Sequence, residues 1–220
     1  MKVYRARGVL NSNEIDDIFR FEEESGSKLG QTRRDAKGVK RLDGTWKTTY
    51  LQTDHSFQQK FPILFKRLVD VARVADKENG WNILQEPIHA RVIELHTLEP
   101  GAGLPEKKHH DFGSLVTVDV MCSERSSFKG GELATLEENG QLDSHHFEKG
   151  DAIVFPSHKF HCVGDLQEGK RQVLVMELWN GEERRCAHRC MKHLGECTYS
   201  VNQSRFELLA TSAMPEIDPW

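Results

Sequence analysis

The stretch EKGDAIVFPSHKFHCVGDLQEGKRQVLVMELW, residues 148–179, contains three apolar runs separated by short polar turns. The runs DAIVF, FHCV and RQVLVMELW are rich in β-branched and aromatic residues, and the turns EKGD and QEGK each contain glycine. Short runs of this kind, at close spacing, are typical of β-strands in a sandwich or barrel.

The same pattern extends upstream through IHARVIELHTL, SLVTVDVMC, ELATL and SHHFE. We therefore predict an α+β, mainly β fold, with a double-stranded β-helix (jelly roll) over residues 81–181. Residues 1–80 are expected to supply supporting helices and a basic loop, and residues 182–220 a C-terminal extension with a short helical segment. The whole chain, 1–220, is expected to form a single domain.

Two helices are predicted before the β-rich region. Asn11 and Glu14 have the spacing of a capping box, which predicts a helix over about 11–24. Apolar residues from Phe57 to Ala72 recur at steps of three and four, which predicts a second helix over about 54–77. Between them, residues 28–47 carry seven basic residues against two acidic ones and three glycines, which indicates a mobile basic loop or a solvated flap without a partner.

The bulk composition excludes several classes of function. A formal net charge of −4 gives no reason to expect a nucleic-acid or membrane partner. The N-terminal residues lack the apolar core of a signal peptide, and five cysteines are an odd number that argues against a disulfide framework. We expect a cytoplasmic or other intracellular soluble protein.

The motif KKHHDFG, residues 107–113, contains a candidate metal site. His109 and Asp111 would share one face of an extended segment, whereas His110 would face away. A third ligand must come from another strand, and His161 is favoured over His158 because it follows the strand-and-turn unit and lies ten residues before Arg171. Two histidines and a carboxylate with open positions form the ligand set of non-haem iron(II) oxygenases.

An ordered series of motifs makes the comparison specific. It consists of His109-His110-Asp111, Gly130-Gly131-Glu132, Gly150 to Phe155, His161, Gly169-Lys170-Arg171 and Trp179. The series resembles the iron(II)/2-oxoglutarate-dependent dioxygenases, closest to the prolyl 4-hydroxylase-like branch, over roughly residues 81–181.

The resemblance implies that His109, Asp111 and His161 bind Fe(II) and that Arg171 pairs with the distal carboxylate of 2-oxoglutarate. Lys170 is the alternative partner, but the guanidinium of Arg171 meets a carboxylate with two parallel hydrogen bonds. Thr117 and His96 are candidate contacts to the cosubstrate; His96 lies where the family often has a tyrosine. The reaction would consume O2, form succinate and CO2, and hydroxylate a C–H bond, with ascorbate as an optional reductant.

The substrate is less defined by the sequence. A peptidyl-prolyl substrate and a small molecule such as an amino acid or natural product are both compatible with the resemblance. Nucleic acid is disfavoured, because nucleic-acid demethylases of this kind usually carry a second arginine where this chain has Glu177. The hypothesis for the basic loop is a substrate lid that contains Arg33, Arg34, Lys40 and Arg41. The alternative of another class is a non-catalytic metal-binding jelly-roll module.

The C-terminal stretch CAHRCMKHLGEC, residues 186–197, has two open interpretations. Cys186, Cys190, His193 and Cys197 lie at one face of a helix, where they would pack as small apolar groups. A zinc site is the sharper interpretation, but the spacing matches no common finger, and ligands along one helix cannot all reach one ion.

Overall fold

The computed structural model describes residues 1–26, 28–35, 37–192 and 197. Within this part of the chain the helices are α1 (Ser12–Ser25), α2 (Ser56–Lys60) and α3 (Pro62–Glu78). The strands are β1 (Tyr4–Ala6), β2 (Gln31–Arg34), β3 (Trp46–Tyr50), β4 (His89–Leu98), β5 (Leu104–His109), β6 (Val116–Met121), β7 (Phe128–Gly130), β8 (Leu133–Leu136), β9 (Leu142–His145), β10 (Ala152–Pro156), β11 (His161–Val163), β12 (Leu166–Gly169) and β13 (Arg171–Trp179).

The strands form two facing antiparallel sheets and one small ribbon. The major sheet has seven strands in the order β1-β10-β6-β13-β4-β3-β2, and the minor sheet has four in the order β5-β11-β8-β9. Strands β12 and β7 form a separate pair. Strands β4, β5 and β6, and again β9, β10 and β11, alternate between the two sheets, as in a jelly roll. The predicted mainly β fold class is confirmed.

The major sheet is covered on both faces, which explains the nearly continuous apolar character of its central strand β13. Leu174, Met176 and Leu178 pack into the cluster formed with the helices. Val173 and Val175 point to the other side and pack into the cluster between the two sheets. Successive side chains of a strand point to opposite faces, so alternate residues of β13 face the interior of the barrel.

The first predicted helix is confirmed, and the second is interrupted near its start. Asn11 caps α1 by accepting a hydrogen bond from the Glu14 amide, while the Glu14 carboxylate accepts one from the Asn11 amide. The predicted helix over 54–77 is divided into α2 and α3 at Phe61, which has a non-helical φ of −128°. Pro62 follows, and a residue before proline is disfavoured in the helical region.

The predicted mobile basic loop contains strand β2 and the start of β3, which pair as a β-hairpin. Strand β2 pairs with β3, and β3 pairs with β4, so this segment extends the major sheet by two strands. The predicted C-terminal helical segment is not found in residues 182–192 or at 197, where the backbone is irregular; the rest of that extension lies outside the described residues. No helix in the described ranges has the length and apolar character needed to cross a bilayer.

Candidate metal centre

A cavity of about 290 Å³ lies between the two sheets. The major sheet contributes Tyr50, Glu94, His96 and Asp119 to its wall, and the minor sheet and the adjacent turn contribute Leu133, Val163, His109 and His161. Cavities of a few hundred cubic ångströms with a small number of convergent polar groups are typical ligand sites.

His109, Asp111 and His161 meet on the wall of this cavity. His109 ends β5 and lies directly opposite His161, the first residue of β11, in the antiparallel register. The Oδ1 atom of Asp111 lies 3.5 Å from Nε2 of His109 and 3.8 Å from Nε2 of His161. One ligand atom from each residue lies within 4.8 Å of the others, as a shared metal ion requires.

The two rival histidines lie elsewhere. His110 packs edge-on against the rings of Phe112 and Phe160, and His158 is exposed in the turn between β10 and β11. The preference for His109 and His161 therefore agrees with the geometry of the strands.

Neighbouring groups orient the candidate ligands. The Nδ1 atom of His161 lies 3.0 Å from the backbone oxygen of Lys159, to which it donates a hydrogen bond when Nε2 carries the lone pair. The hydroxyl of Thr117 donates to Oδ2 of Asp111 at 2.7 Å. Burial opposes ionisation of Asp111, but the hydrogen bond from His109 and the charges of His161 and Arg189 outweigh it and hold the pKa of that carboxyl well below its usual range.

Burial also lowers the pKa of His161, although the Asp111 charge opposes the shift. The imidazole is consequently biased towards its neutral form, which is the form that binds metals. Thr117, a candidate contact to the cosubstrate, supports Asp111 in this structure.

A cluster of buried carboxylates and arginines borders the same cavity. Nη2 of Arg189 lies 2.7 Å from Oε2 of Glu94, and its Nε lies 3.0 Å from Oε1. Nη1 of Arg189 lies 2.5 Å from Oε1 of Glu177 and 3.5 Å from Oδ1 of Asp111. Arg91 pairs with the other oxygen of Glu177 at 3.2 Å. Arg189 therefore bridges three carboxylates, one of them a candidate metal ligand.

The charges of this cluster explain its ionisation. Burial alone would raise the pKa of Glu94, but the Arg189 charge and the His96 hydrogen bond outweigh it and lower that pKa to about 2. Burial raises the pKa of Glu177 above its usual value, although Arg189 opposes the shift. The pKa of Arg189 itself is raised well above the usual value, because the attraction of Glu177 and Glu94 outweighs its burial.

Arg171 is the first residue of β13, and it does not line the main cavity. It borders a much smaller cavity together with Met121, Glu132 and Phe147, and burial lowers its pKa to about 10. Asp119 lines the main cavity, and its pKa is raised to about 8, first by burial and then by the Asp111 charge, while the Arg171 charge opposes the rise. Asp119 is thus electrostatically coupled to both Asp111 and Arg171.

The remaining predicted residues differ in their placement. His96 lines the cavity and shares a hydrogen bond of 2.6 Å with Glu94. Of the four predicted lid residues, Arg34 lines the cavity, and Lys40 forms an isolated β-bridge with it. Arg33 donates to the backbone oxygen of Gly44, and Arg41 pairs with Asp35.

Sequence reasoning did not identify Glu94, Arg189 or Tyr50. Tyr50 lines the cavity from β3, and its hydroxyl lies 3.3 Å from that of Thr32. Glu94 had a detectable signal, because it is an acidic residue in the apolar run IHARVIELHTL. Arg189 lies outside the predicted jelly-roll core, and nothing in the local sequence distinguishes it from other basic residues.

No protein-family model matches the chain, and no curated protein matches its sequence. Solved structures do match. An oxidoreductase of the 2OG-Fe(II) oxygenase family from Burkholderia pseudomallei superposes with a TM-score of 0.56 at 13% identity, over 85% of this chain and 87% of that one. A prolyl hydroxylase from Trichoplax adhaerens, solved with a peptide fragment of the hypoxia inducible factor oxygen degradation domain, gives 0.58 at 14% identity, over 81% and 83%.

The α-ketoglutarate-dependent non-haem epimerase SnoN of nogalamycin biosynthesis gives a TM-score of 0.56 at 14% identity, over 81% of this chain and 78% of that one. At these identities the likeness demonstrates a shared fold. The resemblance to iron(II)/2-oxoglutarate dioxygenases drawn from the sequence is confirmed at that level.

Proposed function

We propose that this protein is an iron(II)- and 2-oxoglutarate-dependent dioxygenase that hydroxylates a C–H bond of a peptide or small-molecule substrate. The observation that carries the proposal is the convergence of His109, Asp111 and His161 on the wall of an open cavity. The fold, shared with solved oxygenases of this class, supports it.

The donor set fits iron(II). Two imidazoles and one carboxylate form the facial triad of non-haem iron oxygenases and leave coordination positions open. When bound, iron(II) with 2-oxoglutarate would supply the oxidising chemistry that consumes O2 and yields the oxidised substrate, succinate and CO2. The protein residues orient and ionise the ligands: Lys159 and Thr117 fix His161 and Asp111, and Arg189 with Thr117 keeps the carboxylate charged.

Two buried polar atoms without a hydrogen-bond partner in the described part of the chain support a cosubstrate site that extends from the metal ligands towards Arg171. Nε of Arg171 and Oδ1 of Asp119 are both buried, and neither has a hydrogen-bond partner in the described residues. Arg171 shares the inward face of β13 with Val175, which lines the cavity. We assign Arg171 as the partner of the distal carboxylate, with protonated Asp119 available as a hydrogen-bond donor next to it.

Peptides and small molecules both remain within the proposal. One solved structure of the same fold is a prolyl hydroxylase with a peptide, and another is an epimerase of a natural-product pathway. The cationic Arg34 on the cavity wall supports an acidic or anionic substrate, although Asp35 lies beside it. A purely structural metal module would require neither the open cavity nor the buried, unpaired groups at Arg171 and Asp119.

The first test is an anaerobic titration of the protein with iron(II) and 2-oxoglutarate. We expect a weak visible charge-transfer band that His161→Ala abolishes, and His158→Ala is the matched control because that histidine is exposed and should retain the band. In air the wild type should release succinate without added substrate, with ascorbate present as reductant. If wild type gives neither the band nor succinate, the protein is a non-catalytic module; if it gives both, a panel of prolyl peptides, amino acids and other small molecules identifies the substrate.

A further inference from the structure

A second group of metal-ligating side chains lies in the C-terminal segment, apart from the three residues of the candidate iron site. Cys186, His188, Cys190 and Cys197 each offer one ligand atom, and all four atoms lie within 4.8 Å of one another. Cys190 and Cys197 are buried. Three thiols and one imidazole are a common ligand set for structural zinc.

The distances between these donors fit a tetrahedral zinc ion. The sulfurs of Cys186 and Cys197 are 3.7 Å apart, far longer than the roughly 2.05 Å of a disulfide. Two thiolates bound at about 2.3 Å to one tetrahedral zinc would be separated by about 3.8 Å. The sulfur of Cys197 lies 3.3 Å from Nε2 of His188, close to the roughly 3.5 Å expected between a thiolate and an imidazole on the same ion.

The sequence argues against zinc because ligands along one helix cannot all reach one ion, but the observed backbone of this segment is not helical. A helix would spread ligands over several turns, but residues 182–192 contain no helix, and the chain bends at Ala187 and His188. The irregular backbone allows ligands spaced two residues apart to converge. The imidazole in this cluster is His188. His193, which the sequence-based zinc interpretation included, lies outside the described residues.

We propose that Cys186, His188, Cys190 and Cys197 bind a structural zinc ion. A site with four protein ligands has no open position for substrate, so its role is to hold the chain. Binding would deprotonate the thiols, and the neutral imidazole would coordinate through Nε2.

The zinc ion would fix Arg189 in the candidate active site. Arg189 lies between two of the ligands, His188 and Cys190, and its guanidinium contacts Glu94. The segment is also held from outside the cluster: Nη2 of Arg91 donates to the backbone oxygen of Cys190 at 2.7 Å. These contacts make Arg189 a positioning residue whose location depends on the proposed zinc site.

Close packing against Gly30, the residue before β2, supports the same placement of the segment. A Cβ atom at Gly30 would lie 1.9 Å from the backbone oxygen of Ala187, so only glycine allows this approach. The start of the hairpin that extends the major sheet therefore packs closely against the proposed zinc-binding segment.

The test is the zinc content of the purified full-length chain, measured by mass spectrometry of the metals. We expect one equivalent of zinc in wild type and its loss in Cys186→Ser, Cys190→Ser and Cys197→Ser. Cys122→Ala is the matched control. Cys122 is buried in the core near the helices, away from the proposed ligands, so this variant should retain zinc. His109→Ala should also retain zinc, which separates this site from the proposed iron site.

Cobalt(II) provides a readout that does not depend on activity or on the proposed function. Replacing zinc by cobalt should give intense visible bands of tetrahedral cobalt and a near-ultraviolet thiolate charge-transfer band. His188→Ala should weaken these bands, whereas His193→Ala should leave them unchanged; the reverse result would overturn the assignment of His188. Wild type that contains no zinc and gives no thiolate band, or a disulfide between Cys186 and Cys197 in the purified protein, would overturn the whole proposal.

Amide hydrogen exchange tests the positioning role. Removing zinc with a chelator should raise exchange in the peptide that covers residues 184–192 at least tenfold, while a peptide from β13 remains protected. Unchanged exchange in the segment would show that zinc, even if bound, does not hold Arg189.

Discussion

Replacing Arg189 with glutamine should show how much the charge of this one arginine stabilises the ionised carboxylates of the cavity. Arg189 contacts Glu94, whose side chain is 2% exposed. The pKa of Glu94 is lowered from 4.5 to about 2 although its burial alone would raise it. A pKa lower by about 2.5 corresponds to about 3 to 4 kcal/mol, at roughly 1.4 kcal/mol for each pH unit. Because burial would also raise the pKa of Glu94 above 4.5 once the Arg189 charge is removed, Arg189→Gln should lower the free energy of unfolding at pH 7 by at least about 3 to 4 kcal/mol, within the range for breaking a buried ion pair.

The pH dependence follows from the direction of the shift. A carboxyl with a lowered pKa in the folded state contributes stability above its unfolded value of 4.5, and that stability is lost as the pH falls towards 2. In Arg189→Gln the burial of Glu94 is no longer opposed by that charge, so its pKa rises and the variant takes up a proton on folding. The gap between wild type and variant should therefore be larger at pH 7 than at pH 5.

The assay is urea unfolding of wild type, Arg189→Gln, Glu94→Gln and the double variant. If the two residues act as a pair, the double variant should be more stable than the sum of the single effects predicts, by about 2 kcal/mol. Arg73→Gln is the control, because Arg73 pairs with Asp70 and Glu86 on the surface and should cost less than about 1 kcal/mol. Additivity within about 0.5 kcal/mol would refute the coupling between Arg189 and Glu94.

Three further changes test other parts of the site. The pKa of Asp119 is raised from 3.8 to about 8, so the folded state keeps a proton that the unfolded state loses. The free energy of unfolding should therefore fall as the pH rises from about 4 to 8. In urea unfolding, Asp119→Asn should remove this pH dependence and be more stable than wild type at pH 8 by a few kcal/mol. Thr117→Val removes the hydrogen bond to Asp111 and should weaken iron(II) affinity about 10- to 100-fold in anaerobic titrations, and an unchanged affinity would contradict the supporting role of Thr117. Once a substrate is identified, Arg34→Gln should raise its KM several-fold while Arg41→Gln, which loses only its pair with Asp35, should not; equal effects would remove Arg34 from the substrate site.

Much of the fold and the candidate ligand set was accessible from the sequence, because the relevant signals are local. The strand runs alternate with glycine-containing turns, and the capping box of α1 lies within four residues. The His-x-Asp spacing determines which histidine shares a face with Asp111, and the order of the motifs indicates His161. The hairpin of β2 and β3 was missed because charged residues mask its alternation, and pairing with β4 stabilises a strand that local propensity does not favour.

The charge balance of the cavity required the tertiary structure. Glu94 and Glu177 lie on neighbouring strands that face the barrel interior, and with Asp111 they bring three carboxylates towards one space. Buried carboxylates of this kind need cations or protons, so the sequence already implied a compensating group without identifying it. Arg91, which lies on the same strand as Glu94, supplies one compensating charge. Arg189 supplies the second compensating charge, from 95 residues away in the chain. Its contact with Glu94 depends on the conformation of residues 186–190, which the proposed zinc ion would determine more than helix or strand propensity does.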